Sequence, residues 1–454
     1  DDSLFGSPEP VVRETRQPEA ESVPYAARYS NSRIKPISLD GLNPMQREAA
    51  EHVDGPLLVV AGAGSGKTRV LTHRIAHLIS NHGVSPMNIL AITFTNKAAG
   101  EMKHRVESLI GPVAKSMWVS TFHSACVRIL RVNAERIGYP KTFSIYDQAD
   151  AQRLTGYVIR DMGLDVKRFT PRAVHAVISN WKNELVSPTQ AAERAAHIFD
   201  RKHSEIYREY QERLLKAGAM DFDDLLVNVV RLFRMHTDVL ASYQDRFKYI
   251  LVDEYQDTNI AQNEIVLSLA ARHHNVCVVG DTDQSIYAFR GADFRNIGQF
   301  EDAFDEVSVV VLEQNYRSTQ NILDAANAVI AQNFGRKPKE LWTETGPGDA
   351  IMRFHADDEG DEAAFVARTM QTLRTGGRKW GDMAVFYRTN PQSRVVEEIF
   401  MRFGIPYKVV GGTRFYDRRE IKDAVAYLRV VTNPLDEVSV KRVLNMPKRG
   451  IGDT

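Results

Sequence analysis

Cysteine is almost missing from this 454-residue chain: Cys126 and Cys277 are the only two, too far apart in sequence to form a ligand cluster or a disulfide framework. That excludes a disulfide-stapled scaffold and makes a reducing compartment, the cytoplasm, the expected location. No uninterrupted apolar run approaches the roughly 20 residues a membrane helix needs, so no membrane partner is expected. Excess charge of either sign is lacking too. Lys plus Arg and Asp plus Glu number 58 each, so a nucleic-acid partner would have to be met by a local groove rather than by a basic field. No basic-then-apolar leader follows Asp1 and Asp2, no initiator Met is present, as a trimmed start would leave it, and no internal repeat occurs.

What is present is a globular composition, 43% apolar and 26% charged, long enough for two to four domains because single cores rarely grow far beyond roughly 250 residues. Residues 1–39 carry Pro8, Pro10, Pro18, Pro24 and Pro36 among charged and small residues and are expected to form a flexible tail. From Leu39 onward short apolar runs alternate with helical stretches, the signature of an α/β parallel sheet wrapped by helices. Buried strands are predicted at Leu57 to Ala61, Ile89 to Phe94, Met117 to Phe122, Tyr249 to Glu254 and Val276 to Asp281. Each ends in small or polar residues, where such sheets place their ligands. A stretch from Cys126 to Gly218 has helical spacing without a convincing strand and reads as an inserted helical domain. Further strands are predicted at Val307 to Leu312, Ala350 to His355 and Met383 to Tyr387. The expected layout is a first sheet domain over 40–125 and 219–305, a helical insertion over 126–218, a second sheet domain over 306–406, and the start of another helical insertion over 407–454.

Chemistry concentrates at three strand ends. Leu57 to Val60 leads into Ala61-Gly62-Ala63-Gly64-Ser65-Gly66-Lys67-Thr68 and then a helix through Leu71, Ile75 and Leu78. Small residues let successive N–H groups face a phosphate, the helix N-terminus adds partial positive charge, and Lys67 adds a full one. Thr68 is expected to place its hydroxyl on Mg²⁺. Ala61 stands where the usual pattern has Gly. A second strand delivers Asp253, expected as a metal ligand, and Glu254, expected to orient and deprotonate a hydrolytic water. A third strand delivers Gln284, whose amide is suited to sensing a terminal phosphate.

The ordered set Ala61 to Thr68, Asp253-Glu254-Tyr255-Gln256-Asp257-Thr258, Gly280-Asp281-Thr282-Asp283-Gln284-Ser285-Ile286-Tyr287 and Gln314-Asn315-Tyr316-Arg317-Ser318 resembles the superfamily-one helicases of the UvrD, PcrA and Rep group, in which Ala61 is usual. The resemblance runs from about Leu39 to the end. It implies P-loop NTPase, RecA-like parallel-sheet motor domains with helical inserted domains, using ATP and Mg²⁺. It also implies movement on single-stranded DNA, 3′ to 5′, with unwinding at a single-strand/duplex junction, in a bacterial-type, nucleoid-associated protein that serves repair or replication proteins.

By the same resemblance the nucleotide is held by Gln46, Ala63, Gly64, Ser65, Gly66, Lys67, Thr68, Arg69 and Tyr316. Lys67, Asp253, Glu254, Gln284 and Arg317 form the catalytic set. Gln46 would read the adenine edge, Tyr316 would stack on the base, and Arg317 would reach from the second sheet domain across a cleft to the γ-phosphate. DNA is expected to be held by aromatic faces and phosphate contacts: Phe94, Phe222, Tyr287 and Phe289, with Thr95, Lys97, His123, Arg290 and Asn390 as polar partners. Phe122 is assigned to the core. Arg449-Gly450-Ile451-Gly452 resembles a duplex-contacting turn, with a plain turn as the alternative.

The family's later motifs have no counterpart before Thr454, so the sequence is expected to be a truncated motor that binds ATP and DNA weakly and hydrolyses poorly. Two alternative readings are the motor subunit of a helicase-nuclease and an ATP-gated single-stranded DNA-binding fragment.

Overall fold

A computed structural model describes residues 35–287, 291–293, 295–333, 338–410 and 419–451. Among the described residues eight strands form: β1 Leu57–Ala61, β2 Ile89–Thr93, β3 Trp118–Thr121, β4 Ser144–Tyr146, β5 Ala219–Asp221, β6 Tyr249–Val252, β7 Val276–Gly280 and β8 Ser308–Leu312. Six of them make one sheet in the order β3-β2-β6-β7-β1-β8, every pairing parallel. The α/β class read from the apolar alternation is the class observed.

Continuous apolar runs are what a parallel sheet covered on both faces requires. In β1, β2 and β7 all five residues are buried. Successive side chains point to opposite faces, so the runs supply two cores. Leu58, Val60, Leu90, Ile92, Ile250, Val252 and Val278 face the helices Phe122–Asn133, Phe222–Met235 and Ile260–Ala270. Leu57, Val59, Ile89, Ala91, Leu251 and Val279 face the helices Lys67–Ser80 and Asn96–Ile110. Each Val, Leu or Ile side chain among them contributes about 1.5–3 kcal/mol on burial. The five early strands sit where the sequence placed them, one or two residues shorter at half of their ends.

Other expectations are corrected. The run at Val307 to Leu312 joins the first sheet instead of starting a separate one: β8 pairs with β1, from Leu57↔Ser308 to Ala61↔Leu312. Its outer side has no strand partner among the described residues, and it shows the half-exposed pattern of an edge rather than a continuous apolar run. The helical insertion does not begin at 126, because Cys126, Ile129 and Leu130 belong to the sheet's core. Nor is the insertion strand-free, since β4 pairs with β5 from Ser144↔Ala219 to Tyr146↔Asp221; three residues are too few to show a period. Its helices, Gln148–Asp161, Pro171–Asn183, Pro188–Glu193 and Ile198–Lys216, close around Leu154, Val158, Ile178, Ile206, Tyr207 and Leu214.

The chain is anchored before residue 40: Asn81 accepts the Ile37 N–H (3.1 Å) and donates to its carbonyl (3.2 Å), and Leu39 packs with Leu42 and Ala50. The rest of the expected tail, residues 1–34, lies outside the described residues.

The chain divides into two compact units, Asp349–Ala426 and the remainder. This division differs from the expected boundaries at 306 and 407. In the smaller unit the helices Glu359–Thr375 and Ser393–Arg402 pack around Ala367, Phe400 and Ile405. The strands predicted at Ala350 to His355 and Met383 to Tyr387 are absent, because a strand exists only through a ladder partner and these runs have none among the described residues. In the larger unit the segment after Tyr427 docks on the insertion: Tyr146 Oη donates to Asp436 (2.5 Å), and Arg429 reaches Asp150 (2.8 Å). No helix among the described residues is long and apolar enough to cross a membrane.

Candidate functional site

Beyond the buried strand β1 the chain must turn sharply to start a helix, and the turn is tied at both sides. The Gly62 N–H donates to Leu312 O (3.0 Å), and Ser65 Oγ donates to Gly62 O (2.7 Å). Gly64 and Gly66 adopt φ of +69° and +89°, and a Cβ on Gly66 would lie 2.7 Å from Gln46 Nε2. Glycine is therefore required twice over, by conformation and by space. The helix Lys67–Ser80 starts with no side-chain cap, so its first-turn N–H groups remain open to an anion.

Gln46, Asn43 and the run after β8 brace this loop. Gln46 is 1% exposed. Its Oε1 accepts from Asn43 N–H (3.2 Å) and its Nε2 donates to Ser65 O (2.8 Å). Asn315 Nδ2 donates to Ala63 O and Tyr316 N–H to Gly64 O (2.9 Å). Asn43 Nδ2 donates to Tyr316 Oη (2.8 Å), leaving the tyrosine ring half exposed beside the loop. Arg69, expected at the nucleotide, donates to Gly41 O (2.7 Å).

Arg317 follows β8 in the same compact unit as the loop after β1, and a Cβ on Gly64 would lie 2.9 Å from Arg317 Cβ. The pairing of β8 with β1 sets Arg317 beside that loop.

The acids stand at the end of β6, two strands from β1. Asp253 is 8% exposed. Burial first, and the charge of Glu254 second, push its carboxyl up to about 7, against a smaller opposing effect of Lys67. Glu254 adopts φ +52°, a left-handed conformation that costs a non-glycine residue about 1–2 kcal/mol. That conformation turns its carboxylate to Lys67, whose Nζ lies 2.9 Å from Glu254 Oε2 and 3.2 Å from Gln284 Oε1. Gln284 Nε2 donates to Asp281 Oδ2 (2.6 Å), Asp281 N–H donates to Gln256 Oε1 (2.9 Å), and Gln256 Nε2 donates to Glu254 Oε2 (2.8 Å). Lys67, Glu254, Gln256, Asp281 and Gln284 thus form a closed polar ring across β1, β6 and β7.

At the same sheet edge Phe94, 39% exposed, stacks on Tyr287 with centroids 5.2 Å apart and planes at 30°. His123 meets Phe222 edge-on at 6.0 Å, and burial lowers the His123 pKa, favouring the neutral ring. Phe222 is exposed and Phe122 buried. Thr95 caps the helix Asn96–Ile110 through Ala98 N–H, and Lys97 is exposed in its first turn. Phe289 and Arg290 lie outside the described residues. Asn390 belongs to the smaller unit, in the turn Asn390–Gln392. Arg449 donates to Tyr427 Oη (2.6 Å), Gly450 takes φ +72°, and Gly452 lies outside the described residues.

Sequence reasoning missed Gln256, Asp281 and Lys339. The first two stand inside the motif strings, and their alternation with Glu254 and Gln284 was the available signal. Lys339 lies in an irregular segment, with no periodicity to mark it.

Two family models cover the chain: the UvrD/REP helicase N-terminal domain matches residues 42–305, and the UvrD-like helicase C-terminal domain matches residues 310–454. The chain is 54% identical over 417 residues to the ATP-dependent DNA helicase PcrA of Bacillus subtilis, covering 92% of this chain and 56% of that protein. It is 55% identical over 427 residues to the ATP-dependent DNA helicase UvrD1 of Mycobacterium tuberculosis, covering 91% and 55%. The chain spans about half the length of the curated relatives it matches.

Proposed function

From a chain that belongs to the UvrD/REP helicase family, we propose an ATP-hydrolysing motor that moves 3′ to 5′ on single-stranded DNA and opens duplex at a junction, serving repair or replication in the bacterial cytoplasm. The observation that carries this reading is the polar ring. It links the phosphate-loop lysine to an acid, Glu254, and to an amide, Gln284, that stands three residues from the Tyr287–Phe94 stack.

With ATP bound, Lys67 exchanges Glu254 for the phosphates. Glu254 is then free to accept a proton from the attacking water. Losing Lys67 also frees the Gln284 amide to follow the terminal phosphate. Movement at residue 284 is passed along a short segment to Tyr287, changing the face that Phe94 and Tyr287 offer to a base. Arg317 beside Gly64 neutralises charge developing on the transferred phosphoryl group. Tyr316 offers a ring to adenine, and Gln46 retains a second Nε2 hydrogen for its edge. Phe222, with His123 and Lys97, extends the DNA track; Phe289, Arg290 and Asn390 keep the roles the resemblance implies.

No three His, Cys, Asp or Glu side chains among the described residues converge as a metal cage. The Thr68 hydroxyl and the buried Asp253 carboxylate would hold Mg²⁺, which takes hard oxygen donors. When bound, the ion supplies charge neutralisation at the phosphates.

The test is steady-state ATP hydrolysis by the full-length protein with and without oligothymidylate. Hydrolysis stimulated by the oligonucleotide is expected, and Gln284→Ala should lower the stimulated rate at least about tenfold, the cost of one misplaced transition-state contact. A parent rate indifferent to DNA, or a Gln284→Ala rate equal to the parent's, would overturn the reading.

A further inference from the structure

Behind the polar ring lies a cation that the motifs do not include. Lys339 is buried, its side chain 2% exposed, with Nζ 2.5 Å from Asp281 Oδ1 and in contact with Asp283 Oδ2. A buried ammonium is strongly disfavoured unless paired, so these carboxylates fix where Lys339 sits. Its segment is fastened from several sides. Leu341 N–H donates to Asn327 Oδ1 (3.2 Å) while Asn327 Nδ2 donates to Leu341 O (2.9 Å). Asn315 N–H donates to Trp342 O (2.7 Å), and the Leu341 side chain lies against Gly62. Residues 339 to 342 therefore touch the phosphate loop, the run carrying Arg317, and the Gln284 turn.

Asp281 divides its carboxylate. Oδ1 takes Lys339 and the Asp283 N–H (3.0 Å), while Oδ2 takes Gln284 Nε2 (2.6 Å). The Gln284 amide then has one permitted orientation. A carboxylate only accepts and an ammonium only donates, so Nε2 must face Asp281 and Oε1 must face Lys67. In this orientation the amide hydrogens point away from Lys67, and a donor contact from Gln284 to a phosphate beside Lys67 requires the amide to turn against the hold of Asp281.

We propose that Lys339 is a positioning residue of the ATPase site: by holding Asp281 it fixes the Gln284 amide with Oε1 toward Lys67 and sets the resistance against which a terminal phosphate must turn it. The proposal rests on the ATP-hydrolysing reading given above. Without the ammonium, Asp281 and Asp283 would repel one another in a single turn, and the Gln284 amide would lose its fixed acceptor. Hydrolysis would then lose its link to DNA through Gln284.

The experiment is a double-mutant cycle in the full-length protein, measuring kcat and KM for ATP at saturating oligothymidylate for the parent, Lys339→Met, Gln284→Ala, the double variant and Lys339→Arg. Fluorescent mant-ADP binding serves as the check of folding. Lys339→Met should lower kcat about tenfold and leave KM within about twofold, as loss of an arrangement used in turnover rather than in binding does. Lys339→Arg, which keeps the charge, should retain at least about a third of the parent kcat, and adding Lys339→Met to Gln284→Ala should change kcat by less than about twofold. An unchanged kcat for Lys339→Met, a fall confined to KM, or full additivity with Gln284→Ala would each overturn the proposal. If Lys339→Met fails to bind mant-ADP, Asp281→Asn carries the same test: a loss of kcat that is non-additive with Gln284→Ala supports it, and an additive loss overturns it. A parent that hydrolyses no ATP would overturn the underlying reading, and the proposal with it; an active parent with an indifferent Lys339→Met overturns the proposal alone.

Discussion

Asp253 carries a residue-scale conflict between stability and chemistry. Its carboxyl is raised to about 7, first by burial and then by Glu254, whereas an unfolded Asp titrates near 3.8. Between those values the folded chain keeps a proton that the unfolded chain releases. The contribution to stability is therefore greatest below the unfolded value, falls as pH rises through the window, and levels off above the folded value. Asp253→Asn removes this cost, at most about 4 kcal/mol at pH 8 by the usual conversion of pKa shift to free energy. The expected outcome is a higher melting temperature for the nucleotide-free protein at pH 8, a smaller gain at pH 5, and loss of ATP hydrolysis. Scanning fluorimetry at the two pH values checks it; an equal gain at both would refute the account. At this scale Lys67, Glu254 and Gln284 were legible, because motif spacing after apolar strands places them. Lys339 was not, because its partners lie 56 and 58 residues away in sequence.

At the scale of elements, the turn from β5 into the helix Phe222–Met235 is held by a buried ion cluster. Lys182, on the helix Pro171–Asn183, lies 2.7 Å from Asp221 Oδ2 and 2.8 Å from Asp224 Oδ1, and Tyr210 Oη donates to Asp221 (2.8 Å). Burial opposes ionisation of Asp221, yet Lys182 and His175 outweigh it and hold the carboxyl below its ordinary range. The exposed ring of Phe222 stands between these two acids in sequence, so the insertion positions a proposed DNA contact through Lys182. Lys182→Met should destabilise the protein by about 3–5 kcal/mol, the cost of leaving buried carboxylates without their cation. Urea denaturation reads this as a lower midpoint at unchanged slope, whereas an unaltered midpoint would show that the cluster contributes nothing net. The helices of the insertion were legible from their 3.6-residue spacing. The cluster was not, because a Lys on an amphipathic helix reads as solvated until its partner element is placed against it.

At the scale of the molecule the two compact units differ in how much they bury. The six-stranded sheet has apolar strands covered on both faces, while Asp349–Ala426, among its described residues, buries little beyond Ala363, Ala367, Phe400, Ile405 and Ala426. Local stability follows buried apolar contact. Amides of the helices Glu359–Thr375 and Ser393–Arg402 should exchange with opening free energies at least about 2 kcal/mol below those of β1, β6 and β7. Hydrogen exchange followed by mass spectrometry tests this, and equal protection in the two units would contradict it.

The five early strands, the glycine-rich loop after β1, the paired acids after β6 and the place of Gln284 beyond β7 were determined by the sequence alone, because continuous apolar runs and short-range spacing are local properties of the chain. Pairing was decided by the tertiary structure. Only the fold could place β8 beside β1, and so bring Arg317 to Gly64 from the same sheet. Only the fold could join Lys67, Glu254, Gln256, Asp281 and Gln284 into one ring and bury Lys339 behind it. The physical reason is that burial turns a remote opposite charge from an optional contact into a requirement, and sequence spacing does not record which charges will be buried together.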